Sequence, residues 1–280
     1  MENKKYEFTD EKLSFDRGMP HVYYDDELDD NVVEYDQTIL HRIKAIRDFG
    51  NVHAGDLGGF IEKEENLSHD GDCWVAENAH VYDEARVYGN AQICEYAKVF
   101  ENAHVSGNAK VFNNAQVFEN AHVFGNAKVF NNAQVYDNAQ IYDEAQVFED
   151  AKVFEDARVY GTAEVYGNTW VHENARVYDA AQVYEYSRVY GDACIFNNAS
   201  VDEDAHVYDN AKVFENAHVF GNAHVFGNAK VFGIAWVYDN AQVFEDAQVY
   251  DRAVVYRNAK VHGKARVCNN AQVSGDTAAR

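Results

Sequence analysis

Hydrophobic residues recur at every sixth position along most of this chain. From Val75 to Val273 each sixth residue is Val or Ile, without one insertion. Four residues after each of these, from position 79 to position 271, lies Ala, which only Thr169 and Ser187 replace. A period of six fits neither an α-helix nor an ordinary β-meander. It predicts a solenoid of short strands, in which each repeat buries its apolar side against its neighbours.

One repeat, Val123-Phe124-Gly125-Asn126-Ala127-Lys128, illustrates the predicted geometry. Strand alternation places Val inward, with Lys or Gln before it and Phe or Tyr after it outward, so each repeat supplies a three-residue strand. Gly, Asp, Glu or Asn at the third place and Asn at most fourth places predict a turn, because Gly and Asn tolerate positive φ. Ala then fills the inner corner of the turn.

Three repeats make one coil of eighteen residues. Residues 109–126 match residues 127–144 at 11 of 18 positions, and Gly89, Gly107 and Gly125 recur eighteen residues apart. The thirty-four repeats therefore predict a triangular solenoid of about eleven coils over residues 75–280, with residues 1–74 as a separate N-terminal region.

The repeating unit is Val or Ile, Phe or Tyr, any residue, Asn, Ala and any residue. It resembles the hexapeptide repeat of left-handed parallel β-helices, which implies an all-β fold with that hand. Residues 40–75, LHRIKAIRDFGNVHAGDLGGFIEKEENLSHDGDCWV, further resemble the start of the bacterial YdcK-like hexapeptide-repeat proteins. That family is defined largely by its fold, so the resemblance brings little function with it.

Residues 37–66 are predicted to form a small cap over the first coil, whose strand edges would otherwise be open to aggregation. The apolar residues that would cover the coil are Leu40, Ile43, Ile46, Phe49, Leu57, Phe60 and Ile61. Residues 25–36 hold seven acids in twelve positions, which indicates a solvated loop or, alternatively, a weak cation site.

The net charge of −23 argues against direct binding to nucleic acid or to anionic lipid. The first residues lack the apolar core of a secretory signal, and no apolar run is long enough to span a membrane. Four cysteines without a CxxC pair predict neither a disulfide framework nor a zinc knuckle. These features together predict a cytoplasmic protein.

Outward aromatic residues are predicted to form columns along the prism. One column runs through Phe112, Phe130, Phe148, Tyr166 and Tyr184, and another begins with Tyr82, Phe100, Phe118, Tyr136 and Phe154. Stacked cross-strand pairs stabilise a sheet by roughly 0.2 to 1 kcal/mol each. The same columns are also a candidate contact surface for self-association or for a partner protein, because large exposed apolar surface is unusual on monomers.

Carboxylates recur at one corner of the predicted coil. Six of them follow one another at eighteen-residue intervals, namely Asp83, Glu101, Glu119, Asp137, Glu155 and Glu173. Asp209 and Glu245 continue the same line. Like charges about 5 Å apart repel one another. Basic or titratable residues three places on could offset this repulsion, namely Arg86, His104, His122, Arg158 and Arg176. The alternative is a functional anionic edge that attracts a basic partner.

Enzymatic readings have less support in the sequence. Hexapeptide acyltransferases usually carry loops and a general-base His in a cleft, whereas this repeat has no inserted loop and predicts little concavity. The pairs His104 with His122 and His206 with His224 should stack about 5 Å apart, one strand spacing. Two imidazoles are fewer than the three that a zinc lyase on this fold uses. No catalytic residue, metal site or cofactor is therefore predicted.

The interpretation is a non-catalytic rigid scaffold or protein-binding solenoid. Its aromatic faces and acidic edge would contact a protein partner, basic in the case of the edge, or a second copy of the chain. A hexapeptide-repeat acyltransferase is the alternative, followed by a metal-dependent lyase. A further alternative is an acidic mimic of a polyanion, such as a phage-type inhibitor of a nucleic-acid-handling protein.

Overall fold

The repeat folds into a parallel β-solenoid with three flat faces. A computed structural model describes residues 4–25, 30–275 and 278–279, with side chains over 4–16 and 37–275. In these ranges one short 3₁₀ turn, Glu64–Asn66, is the helical segment, and the rest of the regular structure is β-strand. The predicted all-β parallel solenoid is confirmed, while its left hand stays a prediction.

The strands of the solenoid are divided among three sheets, which we call faces 1, 2 and 3. Face 1 contains Trp74–Val75, Gln92–Ile93, Lys110–Val111, Lys128–Val129, Gln146–Val147, Glu164–Val165, Gln182–Val183, Ser200–Val201, His218–Val219, Trp236–Val237, Val254–Tyr256 and Gln272–Ser274. Face 2 contains His80–Val81, Lys98–Val99, Gln116–Val117, Gln134–Val135, Lys152–Val153, Trp170–Val171, Arg188–Val189, His206–Val207, His224–Val225, Gln242–Val243, Lys260–Val261 and Ala278–Ala279. Face 3 contains Arg86–Val87, His104–Val105, His122–Val123, Gln140–Ile141, Arg158–Val159, Arg176–Val177, Cys194–Ile195, Lys212–Val213, Lys230–Val231, Gln248–Val249 and Arg266–Val267.

Each strand pairs in parallel with the strand eighteen residues further on, so that Val111 lies opposite Val129. The eighteen-residue coil is thereby confirmed. The solenoid has about twelve turns rather than the predicted eleven, because Ala278–Ala279 pairs with Lys260–Val261 and adds a strand after the last Val of the repeat.

Most strands of the solenoid are two residues long, so the predicted three-residue strand is wrong. The aromatic residue at the second place begins the turn, although the Phe112 amide still donates to the Val129 carbonyl at 3.1 Å. The inward positions are as predicted, because Val111 and Ala115 have no exposed surface. Val and Ala therefore form one continuous narrow core.

Positive φ falls at the third place of the repeat, for example in Glu101 with φ 56° and Asn113 with φ 58°. The fourth-place Asn has another role, since Asn90 Nδ2 donates to Asn108 Oδ1 at 3.0 Å in the next coil. The left-handed conformation is unfavourable for residues with a Cβ. At Gly107 the close approach of the next coil adds a second constraint, because an added Cβ would lie 2.8 Å from the Gly125 carbonyl oxygen.

The N-terminal cap consists of three strands that extend face 2. Strand β1 (Tyr6–Asp25) pairs antiparallel with β2 (Asp30–Ala45), and β2 pairs antiparallel with β3 (Leu57–Ile61). Strand β3 then pairs in parallel with His80–Val81. The cap thus covers the strand edge at this end of face 2.

Most of the predicted cap residues cover the first coil. Leu40, Ile43, Phe49, Phe60 and Ile61 are buried. Ile46 and Leu57 are 45% and 54% exposed, so their predicted burial is wrong. Leu57 lies opposite Lys44, on the outward side of the strand pair, because Ile43 and Ala45 take the inward positions. Ile46 directly follows β2 and, like Lys44, falls on the outward side of the alternation that Ile43 and Ala45 set.

Two buried N-terminal residues, which the sequence pattern did not indicate, hold β1 to the first coil. Lys5 Nζ donates to the carbonyl oxygens of Cys73 at 2.8 Å and Gly71 at 3.2 Å. The Tyr6 hydroxyl donates to the carbonyl oxygen of Leu67 at 2.8 Å. Burial lowers the pKa of Lys5. These hydrogen bonds join residues that are 61 to 68 positions apart in the chain.

The acidic segment 25–36 is only partly described. Residues 26–29 lie outside the described residues, while Asp25 and residues 30–36 belong to β1 and β2 and not to the predicted loop. The alternative of a weak cation site there stays a prediction. The four cysteines are free, with Cys73 buried. In the described part of the chain, no helix is long and apolar enough to cross a membrane.

Candidate functional site

The aromatic columns are the most extensive surface feature of the solenoid. On face 1 the rings of Phe112, Phe130, Phe148, Tyr166 and Tyr184 stack with centroids 4.7 to 4.9 Å apart and planes within 6°. The predicted column is therefore present. A third column, which was not among the predicted ones, lies on face 3 and includes Phe124, Tyr142, Tyr160, Tyr178 and Phe196. The same eighteen-residue spacing predicts it.

The stacked rings of the face 1 column are half-buried, because each ring covers its neighbour and exposes mainly its edge. Ring spacing equals the spacing between hydrogen-bonded strands, so stacking costs no distortion of the backbone. Burial raises the pKa of Tyr166 and of Tyr178 to about 12. These phenols stay neutral at physiological pH and give the columns an uncharged edge with hydrogen-bonding groups.

The six predicted corner carboxylates lie in one line between faces 2 and 3, and we call them the acidic ladder. Each of the first five carboxylates accepts a hydrogen bond from the backbone amide of the ladder residue in the next coil. The amide-to-carboxylate distances are 3.0 Å for Glu101 to Asp83, 2.9 Å for Glu119 to Glu101, 2.8 Å for Asp137 to Glu119, 3.0 Å for Glu155 to Asp137 and 2.7 Å for Glu173 to Glu155. A cap residue, Glu62, begins the series by accepting from the Asp83 amide at 2.5 Å.

The ladder explains how a row of like charges is tolerated. Hydrogen bonds from backbone amides to carboxylates are charge-assisted and stabilise the ionised form. Within the described residues, no Lys or Arg forms an ion pair with the five carboxylates from Glu101 to Glu173, so the predicted neutralisation by Arg86, Arg158 and Arg176 is not found for them. The pKa of Glu119 is nevertheless raised, first by a hydrogen bond with the Asp137 carboxyl and by burial, and then by repulsion from the Asp137 and Glu101 charges.

One His interrupts the aromatic column beside the acidic ladder. His172 stacks between Phe154 at 4.7 Å and Tyr190 at 5.2 Å. Its Nδ1 atom is buried, has no hydrogen-bond partner and lies 3.7 Å from Glu155 Oε2. Ligand atoms of Glu155, His172 and Glu173 all lie within 4.8 Å of one another. An imidazole and two carboxylates are suitable ligands for a divalent metal ion.

The aromatic column of face 1 is also interrupted. Asp202, which is 7% exposed, occupies a place that most repeats fill with Phe or Tyr. Its Oδ1 lies 2.5 Å from His218 Nε2. The His218 ring packs against Phe220 with the ring centroids 4.5 Å apart. Ser200 pairs with His218 across the strands. A buried carboxylate that orients an imidazole is the arrangement of a general base and its positioning residue.

The repeat pattern is also broken at the edge between faces 1 and 2, where Trp170 and Tyr186 take places that are usually polar. The Trp170 ring, in a side chain 37% exposed, lies 4.8 Å from Arg188 Cζ and 5.6 Å from Lys152 Nζ. Tyr186, at a place usually taken by Asn, is 59% exposed. A shallow cavity of about 310 Å³ is lined by Trp170, Tyr186, Arg188 and His206, together with Asn168 and Asp204. The region combines exposed aromatic surface with positive charge on an otherwise acidic protein.

The predicted His pairs stack as expected, with ring centroids 5.0 Å apart for His104 and His122 and 4.9 Å apart for His206 and His224. Burial lowers the pKa of His104, of His206 and of His224. Among the described residues neither pair gains a third metal-ligating side chain, so the pairs do not form a three-ligand centre.

Comparison with known proteins agrees with this architecture. A family model of the YdcK beta solenoid repeat matches residues 247–263. A protein of Escherichia coli (strain K12), named uncharacterized acetyltransferase YdcK, is 34% identical to this chain over 88 residues. The match covers 31% of this chain and 23% of that protein, so it spans less than a quarter of the relative's length. The predicted similarity to YdcK-like repeat proteins is thereby confirmed.

Proposed function

We propose that this protein is a rigid, non-catalytic rod that binds other proteins along its faces. The observation that carries the proposal is the unbroken register of the coils. No loop is inserted between Val75 and Val273, and each strand pairs with the strand eighteen residues on. The faces offer only shallow, open concavity, whereas substrate sites are normally deeper. The faces suit an extended protein contact, as in other solenoids.

The aromatic columns and the acidic ladder supply two different contact surfaces. The face 1 column offers a row of ring edges, and because stacking already fixes the rotamers, binding costs little side-chain entropy. The rings are those of Phe112, Phe130, Phe148, Tyr166 and Tyr184. The ladder offers charges that attract a basic partner over distance and speed its association. The columns also fit a second copy of this chain.

Site-specific crosslinking tests this proposal in extract of the native host. A photoreactive benzoylphenylalanine at Phe130 preserves an aromatic ring in the face 1 column, and the same residue at Asn132 serves as the control in the adjoining turn. We expect discrete crosslinked proteins from position 130 that are weak or absent from position 132. A face that yields no discrete crosslinked protein, and no crosslinked dimer, would contradict a role in binding.

A second function, acyl transfer, is favoured by the Asp202 and His218 pair. Asp202 would hold the Nε2 proton of His218, which leaves Nδ1 to accept a proton from an attacking hydroxyl or amine. The acceptor would then attack the carbonyl of an acyl thioester and release the thiol. Trp236, 46% exposed, lies with its ring 6.2 Å from that of His218 and offers apolar surface to a substrate. The printed name of the Escherichia coli relative also refers to acetyl transfer.

An assay with acetyl thioester and a panel of amine and hydroxyl acceptors tests the second function. His218→Gln should abolish turnover if the pair is catalytic, whereas His206→Gln, at an outward His on face 2, should leave it unchanged. Turnover that is equal in both variants would assign the activity to another site, and no turnover in the wild type leaves the binding rod as the function.

A further inference from the structure

We propose that Glu155, His172 and Glu173 bind a divalent transition-metal ion, with Zn²⁺ as the best fit, at the edge between faces 2 and 3. The three side chains come from two successive coils and offer ligand atoms within 4.8 Å of one another. Ligands around a tetrahedral Zn²⁺, with bonds of about 2.0 to 2.2 Å, lie about 3.3 to 3.6 Å apart. Small rotations of the two exposed Glu side chains close the remaining difference.

The His172 ring is already oriented for coordination. Phe154 and Tyr190 stack on its two sides at 4.7 and 5.2 Å and fix the plane of the imidazole. In this plane Nδ1 points at the Glu155 carboxylate, 3.7 Å away, and makes no hydrogen bond although it is buried. Buried polar atoms without a partner are rare in folded proteins. A metal ion between Nδ1 and the carboxylate would satisfy this atom.

The carboxylates are suited to the same ion. Glu155 Oε2 accepts from the Glu173 amide at 2.7 Å, which orients the carboxylate as outer-shell hydrogen bonds orient metal ligands. A carboxylate has about four lone-pair sites, so the remaining ones stay available. No Lys or Arg in the described part of the chain forms an ion pair with Glu155 or Glu173. A cation would therefore offset the like charge that the ladder concentrates there.

The chain contains a near-copy of this site that lacks one ligand. His262 occupies the same column, stacks on Phe244 at 5.1 Å and has Nδ1 3.9 Å from Glu245 Oε2. The place of Glu173 is taken by Gly263. Gly263 has φ 67°, close to the 57° of Glu173, and an added Cβ would meet nothing nearer than 3.8 Å. A Glu at this position is therefore compatible with the fold.

The first experiment measures Zn²⁺ binding to the full chain by titration calorimetry and equilibrium dialysis. We expect about one tight Zn²⁺ per chain, with water or a partner's side chain at the open fourth position. His172→Phe restores the aromatic column and removes one ligand, and Glu173→Gln removes a carboxylate. Each should weaken binding at this site by about tenfold or more. Unchanged melting temperatures without metal would show that the variants fold.

The decisive comparison is the gain of a site. Gly263→Glu should raise the stoichiometry by about one, because it completes a His and two carboxylates at the second place. Replacing the other two tryptophans, in Trp74→Phe, Trp236→Phe, leaves Trp170 as the one source of tryptophan fluorescence. Co²⁺ bound at the site should quench this fluorescence, because the rings of Trp170 and His172 both contact Phe154. His172→Phe should abolish that quenching. The proposal is overturned if the wild type binds no Zn²⁺, or if His172→Phe binds it with the same affinity and stoichiometry.

Discussion

The cap and the solenoid of this chain are stabilised in different ways. In the solenoid most coils repeat the same contacts: buried Val and Ala, parallel pairing, stacked rings and carboxylates that accept from backbone amides. In the cap, specific hydrogen bonds join distant segments, such as Lys5 to Cys73 and Tyr6 to Leu67. The solenoid therefore spreads its stability over many similar contacts, whereas the cap depends on a few that are all different.

This difference predicts how damage spreads. A coil contacts its two neighbours, so the stability of a solenoid is approximately a sum of repeat and interface terms. A defect in one coil affects the coils beside it. The cap contacts the solenoid at one end, through β3 and the segment around Cys73. Loss of a cap contact should destabilise the cap and leave the central coils folded.

The largest effect is expected from a charge placed in the solenoid core. Val153 has no exposed surface, so Val153→Asp buries a carboxylate among Val and Ala with no partner. We expect a loss of roughly 4 kcal/mol or more, or local unfolding of the adjacent coils. Lys152→Asp, at the outward neighbour, should be mild. Chemical denaturation compares them, and equal midpoints would show that the inward assignment is wrong.

Lys5→Met should weaken the cap and leave the solenoid unchanged. Two carbonyl oxygens, of Gly71 and Cys73, lose their donor, and an orphaned buried acceptor costs about 1–3 kcal/mol. Hydrogen exchange should become faster in β1 and β2 and stay slow in residues 110–250. Exchange that accelerates equally in both regions would contradict the independence of the cap.

Acid should weaken the junction between cap and solenoid through His80. Burial, assisted by the Lys98 charge, lowers the pKa of His80 from 6.5 to about 4. The unfolded chain then binds a proton that the folded chain does not, so stability falls as pH decreases from about 6.5 towards 4. His80→Gln should lose less stability between about pH 7 and pH 5 than the wild type. The exposed His53→Gln is the control, and equal losses in all three proteins would exclude this role of His80.

The period of the sequence predicts the repeating contacts of the solenoid but few of the non-repeating contacts of the cap. Inward Val and Ala, the eighteen-residue coil and the aromatic columns all follow from spacing, because parallel pairing in register converts sequence distance into spatial contact. The burial of Lys5 and Tyr6 does not follow from spacing, since their partners lie about sixty residues away. Ile46 and Leu57 show the same limit, because the alternation of β2 decided their exposure.

At the candidate site, too, spacing predicts which residues are neighbours but not the contacts that they make. Spacing places Glu155 and Glu173 in adjacent coils, but it indicates only their repulsion. The hydrogen bonds that offset the repulsion depend on the positive φ of the third place, which orients the backbone amide towards the carboxylate of the preceding coil. The buried, unpartnered Nδ1 of His172 depends on its stacking position. The signal in the sequence was His at the place that Phe or Tyr takes in most repeats of this column, with Glu beside it at position 173.

The smallest effects are expected within the acidic ladder, and Glu119 separates its charge from its hydrogen bond. Its carboxylate accepts from the Asp137 amide at 2.8 Å, while the Asp137 carboxyl raises its pKa. Glu119→Gln keeps an accepting oxygen and removes one negative charge, so stability should stay equal or rise slightly. Glu119→Ala loses the acceptor while keeping the unfavourable φ of 55°, and should cost about 1 kcal/mol. Glu119→Gly also loses the acceptor but relieves the backbone, and should lie between the other two. Denaturation midpoints at neutral pH rank the three variants. If Glu119→Gln is as unstable as Glu119→Ala, the negative charge itself stabilises the coil, and the ladder is an electrostatic rather than a hydrogen-bonding device.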